Sequence, residues 1–173
     1  LMVLQQAALL SPAADVRFAA LLHDLGKGIT PQAEWPRHIA HEQRGIALVR
    51  DVCERLRAPN QYRDLALQVC EFHLLCHRAQ ELRGKTLLKL LRGTGALRQP
   101  DRFDAFLAAC EADARGRAGS ELKAYPQADY LREALRRARS VSAEGFVAQG
   151  LSGKAIGEAL AAEQARLLDD MRK

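Results

Sequence analysis

The chain has 173 residues, 48% apolar and 27% charged, a balance that suits one globular unit with a real core. Aromatics make up only 5% and Ala, Leu and Arg dominate, which favours helix over strand. No stretch approaches the roughly 18 apolar residues that a membrane span needs, and a net charge of +5 suits a polyanionic partner.

Helical periodicity runs through most of the sequence. A first helix covers about residues 1–10 and stops near Ser11-Pro12; a second runs from about Ala13 to Leu25, with Gly26 at its C-terminal end. Residues 27–36 hold Gly28, Pro31 and Pro36 and read as a loop. A third helix, from about Arg37 to Arg57, carries the stripe Ile46, Val49, Cys53, Leu56 and breaks at Pro59-Asn60. In the fourth, Tyr62, Leu65, Val69, Phe72 and Cys76 recur at helical spacing. A fifth spans about Lys85 to Arg92. A sixth runs from Pro100-Asp101 to about Ala118, with Phe103, Phe106 and Cys110 on one face. A seventh spans about Gln127 to Ser140, followed by a short segment at 142–149. A last helix starts near Ser152, with Ile156, Leu160, Leu167 and Met171 on its buried side. There is no strand-like alternation and no repeat of 20–50 residues, so the expectation is one all-α domain over 1–173. The opening on Leu1, inside an amphipathic run without a basic leader, reads as a fragment of a longer chain. Cys53, Cys70, Cys76 and Cys110 form no CxxC pair, and three lie on apolar faces; they read as reduced core residues of a cytoplasmic protein.

The chemistry sits on those apolar faces. In "LLHDLGKG", His23 follows Val16, Ala19 and Ala20 at seven, four and three residues, so it extends an inward stripe. Asp24 lies about 100° further round, and its short side chain can share an ion with the imidazole. Gly26 lets the backbone turn or admit a close neighbour. A helix-end aspartate bonded to a core histidine is the plainer alternative. Asp113 falls seven from Phe106 and three from Cys110, which puts a carboxylate on a core-directed face. Aspartate is almost never buried unpaired; a salt bridge to Arg115 or Arg117 is the alternative to a metal. His41 and His73 lie where they could join the group, while His38 and His77 read as more exposed. Imidazole with carboxylate suits Mg, Mn, Fe, Ni or Zn.

In this order, "LLHDLGKG", "HIAHEQRG", "EFH" and "EADARGR" resemble the HD phosphohydrolase domain, an all-α bundle marked by an upstream His, a His-Asp doublet and a distant Asp. The resemblance implies a metal set of His23, Asp24 and Asp113; the upstream His has no match here. With the tail "GLSGKAIGEAL", the likeness narrows to the C-terminal HD domain of bacterial CCA-adding tRNA nucleotidyltransferases, over nearly the whole chain. It implies 2',3'-cyclic phosphodiesterase, 2'-nucleotidase and phosphatase activity with a divalent metal, nickel or magnesium. It also implies the tRNA 3' end and 2',3'-cyclic nucleotides as substrates. In such a reaction Lys27 could take charge developing on the phosphate, and His41 or His73 could orient it or protonate the leaving oxygen. The rivals are an HD hydrolase of free nucleotides and a silent tRNA-binding or dimerisation domain forming a homo-oligomer.

From Arg78 to Arg98 basic residues outnumber acidic ones, and Arg78, Arg83, Lys85, Lys89 and Arg92 are the expected contacts with an RNA backbone. Arg132, Arg136, Arg137 and Arg139 form a second cluster. "RGKTLL" lacks the first glycine and preceding strand of a phosphate loop, and "GLSGKAIG" reads as a closely packed helix start.

Overall fold

A computed structural model describes residues 2–172. Among the described residues the chain is all α, with nine α-helices and no strand. They are α1 (Met2–Leu10), α2 (Ala14–Leu22), α3 (His41–Arg55), α4 (Asn60–His77), α5 (Gly84–Gly93), α6 (Pro100–Arg115), α7 (Pro126–Arg139), α8 (Glu144–Ala148) and α9 (Lys154–Asp169). Proline opens α6 and α7, where the missing N–H costs no hydrogen bond. The α3–α4 corner turns on Arg57, whose φ of 49° is left-handed, followed by Pro59.

Helix α4 is the spine, because its apolar residues face three ways. It packs on α2, α3 and α6, while α1 lies along α6 and α5 along α9. Leu65, Val69, Phe72 and Cys76 are buried as their spacing requires, against Val16, Val49, Phe106 and Cys110. The rings of Phe103 and Phe106 stack at 5.6 Å. No helix among the described residues is long and apolar enough to cross a membrane.

Four boundaries and faces differ from the sequence reading. Helix α3 begins at His41 rather than Arg37, because His38 and Ala40 take left-handed backbone (φ 48° and 54°) that a helix cannot contain. Helix α2 stops at Leu22, and Leu25–Ile29 forms a 3-10 turn instead of open loop. Helix α6 ends at Arg115. The buried line of α9 is Gln164, Ala165 and Leu168; Ile156, Leu160, Leu167 and Met171 flank it half-buried. That rotation has a local cause. A Cβ on Gly84 would come within 1.9 Å of Ala165 O, so α5 and α9 touch backbone to backbone, and small side chains must face the contact. Gln164 is satisfied there: its Nε2 donates to Ala138 O (2.9 Å) and its Oε1 accepts from Arg92 (3.2 Å). Gly84 thus serves packing, and its N–H is capped by Asp169 Oδ1 at 2.6 Å. Gly153 does start α9, in a left-handed conformation, but has nothing within 4 Å, so the expected close packing is absent.

Candidate metal centre

Four elements bring six polar side chains to one point in the core. His23 caps the C-terminus of α2, and Asp24 follows in a turn conformation (φ −105°, ψ 11°). The doublet therefore converges because the helix ends between the two residues, not because they share a helical face. His41 is the first residue of α3, His73 and His77 sit one turn apart on α4, and Asp113 lies in the last turn of α6.

Glycine sets the depth of this junction. A Cβ on Gly26 would meet His41 O at 1.9 Å and Gly45 N at 2.7 Å; one on Gly45 would meet Cys70 Sγ at 2.7 Å. The turn after the doublet thus lies directly on the first turn of α3, which brings His41 opposite Asp24. Gly26 is there for close approach, since its φ is not left-handed.

Asp24 is the hub. Its Oδ2 lies 3.2 Å from His23 Nε2 and accepts from Lys27 Nζ at 2.5 Å. Its Oδ1 lies 3.1 Å from His41 Nε2 and 3.7 Å from His73 Nε2. His23 Nε2 is also 3.3 Å from Asp113 Oδ1, and His77 Nε2 is 2.7 Å from Asp113 Oδ2. His23, Asp24, Asp113, His41, His73 and Lys27 are therefore brought together. Asp113 is turned from Arg115, which instead binds Glu111 Oε1 at 2.7 Å.

The tautomers follow from the backbone. His23 Nδ1 lies 2.7 Å from Ala20 O, His41 Nδ1 3.0 Å from His38 O, and His73 Nδ1 3.0 Å from Val69 O. A carbonyl only accepts, so each Nδ1 carries a proton, and each ring in its neutral form turns the lone pair of Nε2 inward. His41 and His73 then oppose two lone pairs at 3.3 Å, beside the anionic Oδ1 of Asp24. Lone pairs so placed repel unless a cation lies among them. Two atoms of the cluster, His23 Nε2 and Asp24 Oδ1, are buried without a hydrogen-bond partner. The ligand atoms of Asp24, His41 and His73 all lie within 4.8 Å of one another. Nitrogen and carboxylate donors of this kind fit a divalent ion.

Without such an ion, protons do the compensating. Burial disfavours charge on His23, but the Asp113 and Asp24 carboxylates override it and lift its pKa to about 10. Burial opposes ionisation of both aspartates too, yet His23, with Lys27 at Asp24 and His77 at Asp113, holds them well below the usual carboxylate range. His73 goes the other way. Burial, then the positive charge of His23, lower it to about 4, so it is a neutral donor at pH 7.

His77 corrects the sequence reading, which left it on the surface. It is half-buried, and Tyr125 Oη lies 2.9 Å from its Nδ1. The ionised Asp113 accepts from Nε2–H, and Nδ1 shares a second hydrogen bond with the tyrosine hydroxyl. The signal was its spacing of four from His73. Tyr125, distant in sequence, gave none. His38 is also engaged, with Thr30 Oγ1 at 2.6 Å from its Nδ1. Arg78, Arg83, Lys85, Lys89 and Arg92 are all exposed; Arg78 is paired with Glu81 (2.9 Å).

The family model of the HD domain matches residues 1–112. With that match over more than half of its length, the chain belongs to the HD domain family, whose members are metal-dependent hydrolases. It is similar to the proteins named "Multifunctional CCA protein" of Thioalkalivibrio sulfidiphilus (56% identical over 99% of this chain), Alkalilimnicola ehrlichii (54% over 100%) and Hahella chejuensis (56% over 91%). The chain spans 42%, 42% and 37% of those proteins' lengths. No solved structure matches it significantly.

Proposed function

We propose that this chain, over residues 1–173, is a metal-dependent phosphohydrolase domain acting on nucleotide phosphate esters. 2',3'-cyclic phosphates and the phosphorylated 3' end of tRNA are the substrates best suited to it, as part of tRNA 3'-end maturation or repair. One observation carries the reading: the Nε2 atoms of His23, His41 and His73 face two carboxylates, with His23 Nε2 and Asp24 Oδ1 buried without a hydrogen-bond partner. His23, Asp24 and Asp113 would hold one ion; Asp24, His41 and His73 offer a second set sharing the same carboxylate. A bound nickel or magnesium ion supplies Lewis-acid chemistry, polarising a phosphoryl oxygen and acidifying water. His41 and His73 bring two further nitrogens to the cluster.

The protein's own groups account for the rest. Lys27 spends one Nζ proton on Asp24, which steadies that carboxylate, and its half-exposed ammonium has donors left for a phosphoryl oxygen. His73, neutral down to about 4, serves as a lone-pair donor and not as the acid. Where the ion is held by His23, Asp24 and Asp113, His41 is left free to orient the phosphate or, as the imidazolium, to protonate the leaving ribose oxygen. The exposed Arg78, Arg83, Lys85, Lys89 and Arg92 would hold an RNA backbone.

The test is hydrolysis of 2',3'-cyclic AMP with added nickel or magnesium. His23→Ala and Asp24→Ala should each abolish it while the far-ultraviolet circular dichroism stays helical. Full activity in both variants would end the assignment.

A further inference from the structure

Helix α4, the end of α6 and the start of α7 enclose a cavity of about 490 Å³ beside the cluster. None of the roles above uses it. His77 belongs to both places: its ring lines the cavity, and its Nε2 reaches Asp113 at 2.7 Å. The apolar floor of the cavity is the buried Tyr125, flanked by the exposed Leu74 and Pro126. The rim is cationic. Arg78 and Arg115 there are already committed to Glu81 and Glu111. Arg117 and Lys123 have no carboxylate partner among the described residues, so two uncompensated charges stand at one mouth. On the wall, Gln127 Nε2 donates to His77 O at 3.1 Å, which leaves its Oε1 a buried acceptor without a donor.

An apolar floor, a few placed polar groups and this volume match a small-ligand site. A solvated cationic patch would need neither the floor nor the orphaned acceptor. We propose that the cavity is the subsite for one nucleotide unit of the substrate. Its sugar and base lie over Leu74, Tyr125 and Pro126, and its phosphate lies between Arg117 and Lys123. His77 stands between this unit and the reacting centre. The place of the subsite in catalysis rests on the hydrolase reading; its affinity for a nucleotide does not.

The probes are adenosine 3'-phosphate, an adenine-rich trinucleotide with a 3'-phosphate, and inorganic phosphate. Each is titrated calorimetrically into the whole chain in EDTA. The nucleotide should bind at least tenfold more tightly than phosphate. The R117E/K123E double variant should lose tenfold or more of that affinity, whereas Arg50→Glu, on an exposed part of α3, should not. A trinucleotide that binds more tightly than the mononucleotide marks an RNA end as the source, and equal affinity marks free nucleotide; either outcome supports the subsite. Nucleotide no tighter than phosphate, or a double variant that binds like the unmodified chain, overturns it. Photolabelling by 8-azido-adenosine 3'-phosphate is the second readout, free of folding effects. Label on the peptide carrying Tyr125 is expected, and label confined elsewhere overturns the proposal. Nucleotide binding of this kind without any metal-supported hydrolysis would sink the hydrolase reading alone.

Discussion

Gly26→Ala tests whether the junction between the His-Asp turn and α3 sets the metal centre. The new Cβ would stand 1.9 Å from His41 O, where an ordinary contact is 3.4 Å or more, and its other near neighbours are also backbone. No side chain can rotate away, so the first turn of α3 must retreat by about 1.5 Å, carrying His41 with it. Overpacking of this kind costs about 1–3 kcal/mol, or roughly 2–12 °C in Tm for a chain of this size. The larger effect is on the site. His41 Nε2 now sits 3.1 Å from Asp24 Oδ1, and displacing a ligand by more than about 1 Å removes it from metal bonding distance and costs on the order of 10²-fold in turnover. Gly28→Ala is the internal control, because a Cβ there meets nothing within 4 Å. The assay is calorimetric nickel titration with thermal unfolding of both variants. If Gly26→Ala binds nickel and melts like Gly28→Ala, the junction does not position the site.

Three other predictions follow from charge. With His23 lifted to about 10, a metal that takes its Nε2 must displace a proton at pH 7.5. About one proton should be released per ion, measured by calorimetry in buffers of different ionisation enthalpy, and affinity should rise with pH up to about 10. In EDTA, stability should peak near pH 6.5. His23, raised, loses its contribution as pH climbs from 6.5 through 10. His73, lowered to about 4, destabilises the fold as pH falls from 6.5 to 4, by about 3 kcal/mol. Urea unfolding across that range reads both limbs, and a flat profile would contradict them. Finally, replacing Lys85, Lys89 and Arg92 by Ala should reduce the salt slope of single-stranded RNA binding by about 2, and an unchanged slope would place the RNA elsewhere.

Much of this was legible because helices announce their buried faces. The spacing of Asp113 from Phe106 and Cys110 put a carboxylate in the core, and it is buried there with His23 and His77 as partners. The doublet was visible, but its geometry was not. Convergence of His23 and Asp24 depends on the helix stopping between them, and the approach of His41 depends on Gly26 meeting Gly45 across elements. The start of α3 was hidden because left-handed His38 and Ala40 are not residue types that signal it. His77 was missed because its partners, Asp113 and Tyr125, lie 36 and 48 residues away. The face of α9 was misread because leucines mark its flanks, while a glycine on α5 selects small residues at the contact.

Anomalous scattering from crystals grown with nickel tests whether a divalent ion occupies the His-Asp cluster. A peak is expected within about 2.0–2.2 Å of an Asp24 carboxylate oxygen. The same peak should lie at that distance from inward Nε2 atoms, either of His23 or of His41 and His73. A fully loaded protein whose only peaks lie away from Asp24 would rule out this cluster as the metal centre.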